Sequence, residues 1–176
     1  LRLDALDRVS AERLVQQPLE NLYKIDPTLV NRILQLTNCH PYLIQVICHT
    51  LITYMAQSEQ NQVTATELEW AVREVLQNGD HYFSHFRSRV TNHDWDVLKV
   101  IASLCELDSD LWANSDDIRS TMRRLDYKTE GWKISRSIGD LKHAGLIEAR
   151  DDSHQAAYRI PIGLFQMWLK QVVTSL

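Results

Sequence analysis

Residues 41–55, "PYLIQVICHTLITYM", limit what this chain can fold into more than any other stretch. On a helical projection, apolar side chains from Tyr42 to Met55 cover most of the circumference. Only Gln45, His49 and Thr53, spaced four apart, form a polar strip. A helix that is apolar on nearly every side must be enclosed by other elements. The reading is therefore a helix from Pro41 to about Gln57 at the centre of a helical module.

The segments around it supply the enclosing helices. Only five glycines and four prolines occur, and helical periodicity dominates. Ser10 is placed to cap a first helix, with Val9 and Leu14 spaced as a hydrophobic staple. Asp26-Pro27 reads as a cap followed by proline at the first helical position, ahead of Leu29, Val30, Ile33 and Leu34. "TATE", Thr64 to Glu67, is a capping box before Leu68, Ala71, Val72, Val75 and Leu76. Gly79 is read as the end of that helix, "SEQNQ" as a polar loop and "HYFSHF" as a short aromatic segment leading to Thr91.

From Thr91 the rhythm changes. Trp95, Leu98, Ile101, Ala102 and Cys105 form one helical stripe. A second helix is expected to be capped near Ser115, with Asp116 and Asp117 in its first turn. A third runs from about Glu130 to Ala144, with Ile134, Ile138 and Leu141 inward and Gly145 as its C-terminal cap. Leu146 to Ala149 and Ala157 to Ile160 read as strands around a polar hairpin, Arg150 to Gln155. An amphipathic helix containing Leu164, Phe165, Trp168 and Leu169 closes the chain. Three helices followed by a β-hairpin is the order of a winged helix. The expected fold is mainly α: a helical domain over residues 1–90, then a winged-helix domain with a small β-hairpin over 91–176.

Composition narrows the function. The net charge is −4 and the pI about 6.0, which disfavours a protein held to nucleic acid by bulk electrostatics. Three cysteines without framework spacing point to a reducing, cytoplasmic setting. No apolar run reaches the roughly 20 residues needed to span a bilayer, so no membrane is expected. The chain opens on Leu1 within a charged amphipathic stretch and is read as a fragment of a longer protein.

Cys39, His40, Cys48 and His49 suggest a metal site. Eight residues along a helix rise roughly 12 Å, so His40 and Cys48 cannot share a zinc ion whose ligands lie about 2.0–2.3 Å from it. Cys48 is read as a small core residue. The glycines build no phosphate-cradling loop, and the seven histidines accompany no nucleophile motif. No catalytic residue is assigned, and the fragment is not expected to be an enzyme. For DNA binding the candidates are Arg123, Arg124, Lys133 and Arg136, with Arg119 and Lys128 nearby. Against them, residues 91–176 hold 11 basic and 13 acidic side chains, a net of −2, and the wing "RDDSHQ" carries two acids.

"LTNCHPYLIQVICHTLI" resembles the lid region of STAND-type and archaeal-type signalling ATPases, a branch of the AAA+ superfamily, where "LTxGHPYLIQ" is common. "RLVQQPLE" resembles the segment entering the lid, and "VTATELEWAV" the last lid helix. "LKHAGLIEARDDSHQAAYRIPIGLFQMWL" is similar to the family's winged helix. The resemblance implies that a core preceding Leu1 binds ATP or ADP with magnesium and hydrolyses it slowly, if at all. His40, Pro41 and Tyr42 would be the lid side of the nucleotide site, with Pro41 near the adenine. Cys39 stands where the family usually has glycine. The winged helix would relay nucleotide state to protein partners or to self-assembly. The alternative reading is a DNA-binding winged-helix regulator with a helical interaction domain; a third is a pure protein-interaction module.

Overall fold

The structure is a computed structural model that describes residues 5–20, 22–58, 60–107, 111–127, 130–152 and 155–174. The chain is mainly α, a helical bundle followed by a winged helix with a small antiparallel sheet. It divides into two compact units: residues 1–82 with 162–164, and residues 83–161 with 165–176.

In the first unit, α1 (Arg8–Leu19), α2 (Pro27–Thr37) and α4 (Ala65–Gln77) all pack on α3 (Pro41–Met55). The all-round apolar pattern of α3 is the reason. Leu43, Ile44, Ile47, Leu51 and Met55 have no exposed surface, while Gln45, His49 and Thr53 are exposed as the polar strip. Ala11, Val15 and Leu19 of α1 are equally buried. Tyr54 of α3 stacks on Trp70 of α4 at 4.3 Å between ring centroids. The connections on either side of the bundle meet as a two-residue parallel pair, β1 (Lys24–Ile25) with β2 (Gln62–Val63). This pair was not expected, because two residues are too few to show a period of two.

Helix starts follow cap chemistry. Asp26 accepts from the backbone N–H of Thr28 at 2.8 Å, with Pro27 in the first turn, and Thr64 with Glu67 forms the expected capping box. The first helix corrects its expectation. Its cap is Asp7, whose carboxylate accepts from the backbone N–H and hydroxyl of Ser10, and Val9 is 58% exposed rather than stapled. An aspartate three residues ahead is the better acceptor, because it is charged and faces the positive helix end.

A second correction concerns "HYFSHF". It is not an irregular lead-in but part of α5 (Gly79–Arg87), and the two units divide within it, between Tyr82 and Phe83. Phe83 and Phe86 are buried in the second unit, against Phe165 at 5.5 and 4.9 Å. Aromatic spacing, not an aliphatic stripe, drives this helix.

The second unit holds α6 (Asn92–Leu104), β3 (Ala113–Asn114), α7 (Ser115–Arg124), α8 (Gly131–His143), β4 (Glu148–Asp152) and β5 (Gln155–Arg159). Most of α9 (Gly163–Thr174) also belongs to it. The sheet order is β3-β5-β4, antiparallel throughout, with Ala113 opposite Tyr158 and Ala149 also opposite Tyr158. The strands run further into the hairpin than the apolar pattern suggested, and β3 is additional. The cap of α7 lies next to Ser115 as expected: it is Asn114, accepting from the N–H groups of Asp116 and Asp117. Trp95 and Trp168 complete the aromatic core around Phe165, at 6.0 Å each. Among the described residues, no helix is long and apolar enough to cross a membrane.

Candidate functional site

The turn between α2 and α3 is unusual in its backbone. Asn38 and Cys39 both have positive φ, 48° and 54°. The Cys39 N–H donates to the Leu34 carbonyl at 3.2 Å and the Asn38 N–H to the Gln35 carbonyl at 3.4 Å, so the end of α2 is closed by the six-to-one and five-to-two bonds of a Schellman motif. The left-handed region penalises a Cβ by roughly 1–2 kcal/mol. Asparagine tolerates it, but a cysteine there does so only because its surroundings hold it. One such restraint is the Leu6 N–H, which donates to the Cys39 carbonyl at 3.0 Å.

The second left-handed residue turns the chain into α3. His40 is the N-cap, in extended conformation and without a side-chain capping hydrogen bond, and Pro41 occupies the first turn. His40, Pro41 and Tyr42 are half-buried and consecutive at this helix start. The His40 and Tyr42 rings meet edge to face at 6.5 Å. Burial raises the Tyr42 phenol above its ordinary range, and the neighbouring Tyr82 adds to that, so Tyr42 stays a neutral hydrogen-bonding group.

The cysteines are not poised for chemistry. Burial pushes the Cys48 thiol up to about 12, and its Sγ lies 4.0 Å from the Val15 carbonyl. Burial likewise raises Cys39, only partly offset by Arg8, and Cys105. All three are unbridged thiols. Among the described residues, no group of three or more His, Cys, Asp or Glu side chains is arranged to hold a metal ion.

The DNA candidates lie on the second unit. Arg123 and Arg124 are exposed in the last turn of α7. Lys133 and Arg136 lie on α8, and each faces an acid of its own helix segment: Lys133 Nζ is 3.8 Å from Glu130, and Arg136 Nε is 3.8 Å from Asp140. Arg119 pairs with Asp116 at 3.0 Å. Lys128 and the tip of the hairpin, 153–154, lie outside the described residues.

Two groupings were invisible in the sequence. The Ser137 hydroxyl of α8, 3% exposed, donates to Asp94 of α6 at 2.5 Å and lies 2.8 Å from His93 Nδ1. A hydroxyl has one proton, and Asp94 takes it, so Nδ1 is the nitrogen that carries a hydrogen toward Ser137. In a hydrolytic triad the imidazole sits between serine and carboxylate; here serine sits between, and its nucleophilic oxygen is buried. The cluster is a latch between α6 and α8. Burial works to raise the Asp94 carboxyl, but hydrogen bonds from Ser137 and Thr91, with His93 nearby, hold it below its ordinary value. The second grouping is Trp112, whose ring lies 4.4 Å from the Arg159 guanidinium and 4.9 Å from that of Arg150. Contacts separated by 38 to 47 residues leave no local pattern to read.

No family model matches the chain, and no curated protein matches it significantly. A solved structure that it resembles is that of the Orc1 protein of Aeropyrum pernix in complex with DNA. The identity is 16% and the TM-score 0.46, over 86% of this chain and 43% of that one. The chain thus spans less than half the length of that protein as solved.

Proposed function

We propose that this chain is the lid and winged-helix portion of a signalling ATPase of the AAA+ superfamily. The first unit closes over ATP or ADP, with magnesium, held by a core that precedes it, and the second relays nucleotide state to protein partners in the cytoplasm. The fragment itself hydrolyses nothing. The reading is carried by the turn at 38–41. The sequence resemblance places a glycine where Cys39 stands, and Cys39 has φ 54°, the conformation that glycine adopts at least cost. A family signature and an independent backbone constraint thus meet at one residue. In this reading His40, Pro41 and Tyr42 form the lid side of the site, with the Pro41 ring against adenine and the uncapped start of α3 facing a polar or anionic group. Nucleic acid as a partner draws no support from α8, whose Lys133 and Arg136 are both faced by acids.

Pro41 tests the assignment. Proline at a helix start gives up an N–H that would have no partner anyway, so Pro41→Ala should lower stability by only about 0.4–1 kcal/mol, through unfolded-chain entropy. Lost packing against adenine should weaken nucleotide binding by roughly ten- to two-hundredfold. Thermal unfolding and nucleotide titration on the protein carrying its upstream core separate the two effects. Reduced stability with unchanged nucleotide affinity would remove the lid assignment.

A further inference from the structure

The chain enters the first unit through a short connection, residues 5–7, that belongs to neither helix nor strand. Its half-buried Leu6 donates a backbone N–H to the Cys39 carbonyl at 3.0 Å. Asp7 then caps α1, and Arg8 reaches Asn31 of α2. Besides its burial, the Cys39 thiol responds to the charges of Arg8, Glu12 and Asp7, so its side chain too lies beside the start of α1. The residue gripped in this way is the strained one. Asn38 and Cys39 are consecutive left-handed residues, and the chain doubles back so that the His40 N–H reaches the Thr37 carbonyl at 3.0 Å. Each residue has two soft dihedrals. The Cys39 N–H bond to Leu34 is therefore set by residues up to Asn38, whereas the His40 bond depends on the dihedrals of Cys39 itself. The worth of one backbone hydrogen bond and the left-handed penalty on a residue with a Cβ are of the same order. The Leu6 bond is thus large enough to decide whether Cys39 stays left-handed.

We propose that the Leu6–Cys39 bond is a strap through which the upstream chain sets the form of the turn at 38–41. With the bond made, Cys39 is held left-handed, and Pro41 and Tyr42 are presented at the start of α3. Displacement of the upstream chain breaks the bond, Cys39 returns to negative φ, and that presentation is lost. This regulation rests on the lid reading, whose site it controls. Cysteine is what makes the turn responsive. Glycine takes a positive φ without steric penalty, so it would keep the turn with or without the strap.

Amide hydrogen exchange, read by NMR on the 176-residue chain, tests the strap. In the unmodified chain the Leu6 and His40 amides should open together; a His40 amide that exchanges well ahead of Leu6 shows a turn that opens without the strap and overturns the proposal. Leu6→Pro removes the donor, and Leu6→Ala keeps it while shortening the side chain. Leu6→Pro should speed exchange at His40 about fivefold, the worth of one backbone hydrogen bond. The Ala11 amide, bonded to the Asp7 carbonyl at 2.9 Å, should keep its protection, which shows that α1 still folds. In the Cys39→Gly background, Leu6→Pro should leave His40 unchanged. Nucleotide titration of the protein carrying its upstream core should follow the same pattern, about fivefold weaker for Leu6→Pro and restored by Cys39→Gly. A His40 amide unmoved by Leu6→Pro, or moved equally in the Cys39→Gly background, overturns the strap. Equal acceleration by Leu6→Ala assigns the effect to side-chain packing and overturns it as well. Normal nucleotide affinity in Leu6→Pro, where Pro41→Ala weakens binding, overturns the strap alone. Unchanged affinity in Pro41→Ala removes the lid reading itself, and this regulation falls with it.

Discussion

In the first unit the interior is aliphatic and belongs to one helix: Leu43, Ile44, Ile47 and Leu51 of α3 are enclosed by three neighbours. In the second, rings from α5, α6 and α9 meet around Phe165, and a polar latch, Asp94 to Ser137, ties α6 to α8. The difference teaches where specificity resides. An aliphatic helix enclosed by others is defined by its own periodicity. An aromatic core and a buried carboxylate are defined by partners far away in sequence, and each is sensitive to a single lost group.

The largest expected effect contrasts the two interiors. Phe165→Ala should lower stability by about 3–5 kcal/mol and Ile47→Ala by about 2–5 kcal/mol, read from urea unfolding midpoints. If the units unfold independently, each substitution should move a transition of its own and leave the other in place; a single transition shifted by either substitution would show that the two interiors unfold as one.

A smaller effect isolates the latch. Ser137→Ala leaves the buried Asp94 one donor short and should lower stability by about 1–3 kcal/mol at neutral pH. Because the folded-state carboxyl is held below its ordinary value, its stabilisation is present above the unfolded carboxyl range and is lost as pH falls through the folded one. The gap between wild type and Ser137→Ala should therefore narrow below about pH 4. A gap that stays constant from neutral pH into acid would mean that Ser137 acts through packing alone.

The smallest effects compare two left-handed turns. Cys39 in the first unit and Asp126 in the second have φ of 54° and 56°. Cys39→Gly relieves a Cβ penalty that exceeds the added unfolded-chain entropy, so a gain of about 0.5–1 kcal/mol is expected. Aspartate tolerates this region better, so Asp126→Gly should stay within about 0.5 kcal/mol of neutral. Differential scanning calorimetry distinguishes them, and a loss of stability in Cys39→Gly would show that the thiol's packing outweighs the strain.

These elements also show why some of the fold was legible and some was not. The polar strip Gln45, His49 and Thr53, the caps at Asp26 and Thr64 and the turn at Gly145 are local, so three or four residues suffice to read them. The cap at Asp7 was misplaced because Ser10, three residues on, offered a plausible alternative. The α5 helix was missed because His81, Ser84 and His85 interrupt its apolar pattern and only Phe83 and Phe86 drive its burial. At the candidate site, the neighbours His40, Pro41 and Tyr42 were readable. The left-handed geometry of Cys39 was not, since nothing about a cysteine signals positive φ.

The Tyr54–Trp70 stack has an optical consequence. Of the five tryptophans, Trp70 alone belongs to the first unit; Trp95, Trp112, Trp132 and Trp168 belong to the second. Indole emission from a Trp70→Phe variant therefore reports on the winged helix only, and the difference from wild type reports on the helical bundle. Each half of the molecule can be followed by its own light, without a label, while the other is perturbed.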